Sequence, residues 1–155
     1  MTQIRIYTDG GCSGNPGPGA WAYILLEPQG ESRDARFCPE TTNNRMELQA
    51  VIEALQAVRK RPDPASAQID LFTDSQYVKN GISDWIHNWM KNGWKTRSKQ
   101  PVKNQDLWKQ LLNLSSAMSV QWRWLQGHAG DHYNEACDRL VQEAIKKGRA
   151  SRRTK

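Results

Sequence analysis

Four carboxylates stand in contexts that give them more to do than solvate a surface: Asp9, Glu47, Asp74 and Asp138. Asp9 closes the apolar run Ile4-Arg5-Ile6-Tyr7-Thr8-Asp9 and leads into Gly10-Gly11-Cys12-Ser13-Gly14-Asn15-Pro16-Gly17. Asp74 closes Ile69-Asp70-Leu71-Phe72-Thr73-Asp74 and is followed by Ser75-Gln76-Tyr77. Both runs read as strands that finish on Thr-Asp. The C-terminal ends of strands in open sheets are where ligands and chemistry collect. Glu47 follows a polar helix start, Thr41-Thr42-Asn43-Asn44-Arg45-Met46, and Asp138 lies on a late helix after Gly127-His128-Ala129-Gly130. Carboxylates gathered at one point repel one another unless cations neutralise them, and oxygen-only donors suit the hard ion Mg²⁺. The set points to metal-dependent phosphoryl chemistry. Taken singly, each residue would be an ordinary surface acid.

The elements that must position these groups are mixed. Residues 4–9 read as a buried strand, Pro16-Gly17-Pro18-Gly19 as a turn, Ala20 to Glu27 as a second strand and Arg33 to Cys38 as a third. Together they predict an antiparallel meander. From Asn43 to Arg59 the period becomes helical, with Leu48, Val51, Ile52, Leu55 and Val58 on one face. Thr42 or Asn43 is the expected N-cap, and Arg61-Pro62-Asp63-Pro64 ends the helix. Gln68 to Thr73 is the fourth strand. Short helices follow from Gln76 and from Ser83 to about Met90, then a basic loop, then a helix from Asn104 to about Leu114. Val120 to Leu125 makes a fifth strand, and a last helix runs from about Asp131 to Lys147. The expected fold is α/β. Strands one to three of a mixed five-stranded sheet are antiparallel, strands four and five are reached by helical crossovers, and helices flank the sheet.

Composition narrows the class. At 155 residues with a hydrophobic fraction of 37%, a single domain with a real core is expected over residues 1–147, with 148–155 a basic, flexible tail. No apolar run approaches the roughly 20 residues of a membrane helix, and Met1-Thr2-Gln3-Ile4-Arg5 offers no signal peptide. Cys12, Cys38 and Cys137 are odd in number and lack zinc spacing, so they read as free thiols of a cytoplasmic protein. With no heptad or long apolar surface stripe, a monomer is expected. The net charge is +6, and the C-terminal Lys146, Lys147, Arg149, Arg152, Arg153 and Lys155 account for all of it. A second basic stretch, Lys91, Lys95, Arg97, Lys99 and Lys103, contains no acid and lies among Trp85, Trp89 and Trp94. Cations mixed with aromatics suit a polyanion with flat bases or sugars. The alternative is a charged loop capped by core tryptophans, and one or two of the three are expected to serve the core.

In order along the chain stand Thr8-Asp9-Gly10, Asn15-Pro16-Gly17-Pro18-Gly19, Thr42-Asn43-Asn44-Arg45-Met46-Glu47 and Thr73-Asp74-Ser75-Gln76-Tyr77. Trp85-Ile86-His87-Asn88-Trp89, Gly93-Trp94-Lys95-Thr96, Pro101-Val102-Lys103-Asn104, Gly127-His128-Ala129-Gly130 and Asn134-Glu135-Ala136-Cys137-Asp138 follow. From about Ile4 to Ala144 the chain resembles the type 1 ribonucleases H of the bacterial ribonuclease HI kind. The strand and helix order agrees with that fold.

The resemblance implies an endoribonuclease that hydrolyses the RNA strand of an RNA–DNA hybrid duplex, leaving 5′-phosphate and 3′-hydroxyl ends. It implies Mg²⁺, with Mn²⁺ also compatible, and two ions per site with substrate, roughly 3.5–4 Å apart. Asp9, Glu47, Asp74 and Asp138 match the metal-binding carboxylates, Asp9 as the bridging one. His128 matches a residue that handles protons or helps product leave, and its Gly-flanked setting and near-neutral titration fit that role. His87 and His132 read as surface residues. Cys12, Asn15, Asn43 and Gln76 match RNA-strand contacts. Thr42 and Asn104 match a DNA phosphate pocket, and Trp85 and Trp89 a channel for deoxyribose to which Tyr77 contributes. Lys91, Lys95, Arg97, Lys99 and Lys103 match a basic protrusion.

Three departures stand out. Glu40 sits where many relatives carry an arginine for the DNA phosphate. Met90 and Asn92 occupy positions often basic, so a weaker grip and milder salt dependence are expected. The chain ends soon after Gly148. A hybrid-binding module without cleavage is the runner-up, and all four acids and His128 argue against it. A different nuclease of the same fold is the other, and the tryptophan-rich helix with its basic loop argues against that.

Overall fold

The computed structural model describes residues 2–126 and 131–153. Its sheet has the order β3-β2-β1-β4-β5. The strands are β1 (Thr2–Cys12), β2 (Gly17–Glu27), β3 (Gly30–Thr41), β4 (Ala67–Thr73) and β5 (Ser119–Trp124). The first three pair antiparallel, while β4 runs parallel to β1 and β5 parallel to β4. The helices are α1 (Asn43–Arg59), α2 (Gln76–Asn80), α3 (Ile86–Lys91), α4 (Gln105–Ser116) and α5 (His132–Arg153). Among the described residues no helix is long and apolar enough to cross a membrane.

Alternation along β1 sorts the layers, because successive side chains of a strand point to opposite faces. Ile4 and Ile6 join Leu48, Ile52 and Leu55 of α1 and Leu111 of α4 on one face. Tyr7 joins Ala22, Ile24 and the α5 residues Ala136, Cys137, Val141 and Ile145 on the other. Asp9 shares the Tyr7 face. Burying a Leu or Ile side chain contributes about 1.5–3 kcal/mol, so both layers hold the sheet rigid beneath its polar end.

The boundaries differ from expectation where glycine was read as a stop. β1 does not end at Asp9. It continues through Gly10↔Trp21, Gly11↔Ala20 and Cys12↔Gly19 in the ladder with β2. β2 correspondingly starts at Gly17 within the expected turn, and its register with β3 shifts between Gly17 and Gly19. The Asn15–Pro16 peptide is cis. The two short helices after β4 form a nearly continuous rod, with a π-helical turn over Gly81–Trp85 between α2 and α3. A side chain at Gly81 would stand 2.0 Å from Trp108, so the absent Cβ lets that fully buried ring seat. α5 runs beyond Lys147 to Arg153. Gly148, the first residue of the expected tail, is the contact point with β3, where an added Cβ would lie 2.1 Å from the Phe37 ring.

Candidate active site

The acidic centre forms where the sheet splits. Parallel pairing of β1 with β4 is last seen at Tyr7↔Phe72, whose rings stack with centroids 4.6 Å apart. Beyond it β1 stays with β2, while β4 ends at Thr73. Asp9 and Asp74 lie just past that last pair. Asp74 is anchored by its neighbours: the Ser75 amide donates to Thr73 Oγ1 at 3.1 Å, and the Leu125 amide donates to the Thr73 carbonyl at 2.9 Å. Ser75 then caps α2 by accepting from the Val78 amide at 3.1 Å.

Glu47 arrives from the opposite layer, in the first turns of α1. Thr42 is the N-cap, its Oγ1 accepting from the Arg45 amide at 3.3 Å. The approach of α1 to β1 depends on Gly10. A Cβ there would meet the Met46 carbonyl carbon at 2.3 Å and the Glu47 nitrogen at 2.5 Å. The Gly10 amide donates to Glu47 Oε1 at 3.1 Å. Glu47 Oε2 is buried with no hydrogen-bond partner.

Oxygens of Asp9, Glu47 and Asp74 lie within 4.8 Å of one another. Asp138, on the second turn of α5, adds its charge to Asp9 from the other side. Its helix is positioned by Asp131, whose Oδ1 accepts from the Tyr133 and Asn134 amides, each at 3.0 Å. The buried Cys137 thiol also anchors it, directed at the carbonyls of Tyr7 and Ala22. Burial of Asp9, then repulsion from Asp74 and Asp138, pushes its carboxyl up to about 8. Burial, with Asp9 and Asp74 behind it, raises Glu47 well above the carboxylate range. A cluster that resists ionising on its own, one of whose members keeps a buried oxygen without a partner, fits a divalent cation held by hard oxygen donors.

The other expected residues fall into four places. Asn15 Oδ1 accepts from the Asn43 amide at 3.2 Å, joining two of the RNA-strand candidates. The Cys12 thiol beside them is directed at the Gly17 and Thr41 carbonyls, and burial raises its pKa. Gln76 is exposed at the start of α2. Thr42 and Asn104 are joined through Arg45, whose Nη1 donates to Asn104 Oδ1 at 3.1 Å. Arg45 also holds Asp106 with two hydrogen bonds. Neither Arg45 nor Asp106 was singled out from the sequence, and the only available signal was a cation and an acid far apart along the chain.

Tyr77 ties this corner to the aromatic groove. Its hydroxyl accepts from Asn104 Nδ2 at 3.1 Å and from Trp108 Nε1 at 3.0 Å. Trp85 and Trp89 follow at 5.9 Å between centroids, and Trp89 sits 6.0 Å from Trp94. Trp85 is 36% exposed. Trp89 and Trp94 pack on the core, as expected for part of the trio. With Pro101, Val102 and Lys103, the rings of Tyr77, Trp85 and Trp89 line an open groove of about 560 Å³. Lys91, Lys95, Arg97, Lys99 and Lys103 are exposed around it. Their loop is pinned by a Lys95↔Pro101 bridge and by the Val102 amide donating to the Trp94 carbonyl at 3.1 Å. His128, within 127–130, lies outside the described residues.

The RNase H family model matches residues 1–146. This chain belongs to the ribonuclease H family. It is 52% identical to the ribonuclease H of Treponema denticola, over 94% of this chain and 98% of that one. It is 51% identical to that of Rhodopseudomonas palustris, over 98% and 95%. Among solved structures it resembles LC9-RNase H1, a type 1 RNase H with the type 2 active-site motif, with a TM-score of 0.83 and 32% identity, covering 95% of this chain and 74% of that one. The fold also matches LC11-RNase H1 in complex with an RNA/DNA hybrid, with a TM-score of 0.71 at 24% identity over 94% and 98%.

Proposed function

We propose that the four carboxylates of this ribonuclease H form the centre at which it hydrolyses the RNA strand of RNA–DNA hybrids. The observation that carries the reading is the convergence of Asp9, Glu47 and Asp74 within 4.8 Å, in a chain of this family, with an unpaired Glu47 oxygen among them. The family is dependent on divalent metal. Asp9, Glu47, Asp74 and Asp138 would hold the ion, and Mg²⁺ best suits an all-oxygen set, with Mn²⁺ compatible and two ions present with substrate. A bound divalent ion supplies charge neutralisation, an activated water and stabilisation of the departing 3′-oxygen.

The rest of the work belongs to the chain. Asp9 is held in the β1–β2 ladder opposite Ala22, just past the last pair of β1 with β4, so it fixes the geometry of the centre. Glu47, oriented by the Gly10 amide, is placed to accept from a ribose 2′-hydroxyl beside the cut. Cys12, Asn15, Asn43 and Gln76 face the RNA strand, where a 2′-hydroxyl identifies RNA. Thr42 and Asn104 hold a DNA phosphate, and Trp85 and Trp89 offer an aromatic face that deoxyribose fits and a 2′-hydroxyl crowds. The exposed basic loop grips the duplex backbone. His128 handles a proton or aids product release. The products are 5′-phosphate and 3′-hydroxyl ends, and the enzyme works as a cytoplasmic monomer.

The test is cleavage of a labelled RNA–DNA hybrid with Mg²⁺, beside RNA–RNA and DNA–DNA duplexes and an EDTA control. Cutting of only the hybrid's RNA strand, lost with EDTA, supports the reading. Tight hybrid binding without cutting would make the chain a binding module instead.

A further inference from the structure

α5 carries more than Asp138. Arg139, Gln142, Lys146 and Arg149 recur at three- and four-residue spacing, which sets them on one face of the helix. All four are exposed. They begin beside the carboxylate centre and run away from it. The ion pairs among the described residues are Arg33–Glu31, Arg45–Asp106, Arg61–Glu27 and Arg123–Asp70, so no cation of this helix is among them. The acids of α5 besides Asp138 are Glu135, in the first turn, and Glu143, four residues before Lys147.

The far end of the stripe does not float. Gly148 seats the helix on Phe37 of β3, and Val141 lies under Gly11 of β1. Arg149 Nη1 donates to Ser13 Oγ at 3.1 Å, between Cys12 at the end of β1 and Asn15 in the loop that follows it. Ser13, Gln142, Ile145, Lys146, Arg149 and Ala150 line an open groove of about 570 Å³ that contains no acid.

We infer that this groove is a second polyanion-binding surface, which takes the sugar–phosphate backbone of the hybrid's RNA strand several nucleotides from the cut. The inference rests on the proposed function and extends its footprint to a side opposite the basic loop. Two things favour RNA-strand phosphate as the occupant. The groove has cations and no competing carboxylate, and it is continuous with the segment that carries the RNA-strand candidates Cys12 and Asn15. The eleven helical steps from Asp138 to Arg149 span roughly 16 Å of helix, on the order of five nucleotides of duplex rise. Lys146 and Arg149 are therefore a structured extension of the binding surface.

The test measures hybrid binding in EDTA, so that cleavage does not enter, as a function of salt. One hybrid is about one helical turn long (~10 bp) and the other is extended well past the site on the Ser13 side. For the double variant Lys146→Ala/Arg149→Ala, affinity for the long hybrid falls roughly tenfold at low salt. The slope of log affinity against log salt drops by about 1–2, at up to ~0.9 per lost phosphate contact. The short hybrid is unaffected. Gln142→Lys, which adds a cation to the same stripe, steepens the slope. All of these positions are exposed, and circular dichroism confirms that the variants fold. An unchanged slope on the long hybrid overturns the inference, as does an equal loss on both hybrids or in Lys147→Ala, which would mean diffuse charge. Absence of cleavage by the wild type in Mg²⁺ would count against the proposed function alone, because groove-dependent binding is read without it.

Discussion

The acidic centre and the aromatic groove are both polar sites on one rigid frame, yet they are built on opposite principles. In the centre, carboxylates are desolvated and pressed together, Asp9 is pushed up to about 8, and an oxygen of Glu47 is left without a partner. In the groove, the polar groups of the support are paired with one another: Tyr77 accepts two hydrogen bonds, Asn104 is held from both ends, and Arg45 is clamped by Asp106. One region stores electrostatic stress that a cation relieves. The other is finished before ligand arrives. Chemistry and grip thus fail differently when altered.

The sharpest break is Asp9→Asn. It should lower the turnover of hybrid cleavage by about 10³-fold or more, since a ligand central to the metal centre is lost. It should also raise the melting temperature of the metal-free protein, because near pH 7 folding must protonate an Asp9 carboxyl that is ionised in the unfolded chain, a cost asparagine does not have. The groove should show the reverse sign. Trp108→Ala removes a fully buried ring that supports both Tyr77 and Gly81, and should cost about 3–5 kcal/mol in urea unfolding.

Stability against pH separates the regions next. The carboxyl of Asp9 titrates near 8 in the fold and near 3.8 when unfolded. Between those values the native state keeps a proton that the unfolded state releases, so stability falls as pH rises. In EDTA the wild type should be less stable at pH 8 than at pH 5, by about 3–4 kcal/mol at ~1.4 kcal/mol per pH unit, and Asp9→Asn should show a flatter profile. Trp85→Ala comes below that. Its ring is partly exposed, so stability should change little, while KM for hybrid should rise roughly tenfold with turnover nearly intact. The smallest effect is expected for Asp106→Asn. Its exposed pair with Arg45 is worth under about 1 kcal/mol, and the measurable consequence is a modest KM rise as Arg45 loses its anchor.

The three acids that converge, Asp9, Glu47 and Asp74, could be picked out from sequence because each stands at a local signal: Thr-Asp after an apolar run, or a polar helix start. The segments that form strands and helices were legible for the same reason, since the spacing of apolar side chains along the chain marks them. What the sequence hid was decided across the sheet. Gly10 and Gly11 look like a loop in isolation, but Trp21 and Ala20 of β2 pair with them and extend β1 past Asp9. Gly148 falls in the expected tail, yet it is where α5 meets Phe37. The Arg45–Asp106 clamp joins residues too far apart for any spacing rule to link. Sequence showed which groups could do chemistry, and only packing showed which of them were stressed.

The most direct measurement is the thermal unfolding of the wild type and Asp9→Asn at neutral pH, with EDTA and with increasing Mg²⁺. The account predicts that Asp9→Asn melts higher than the wild type in EDTA. It also predicts that Mg²⁺ raises the wild-type midpoint in proportion to the logarithm of its concentration, with little response in the variant. A wild type indifferent to Mg²⁺, or an Asp9→Asn variant less stable than it in EDTA, would contradict the claim that the carboxylates form a stressed cation site.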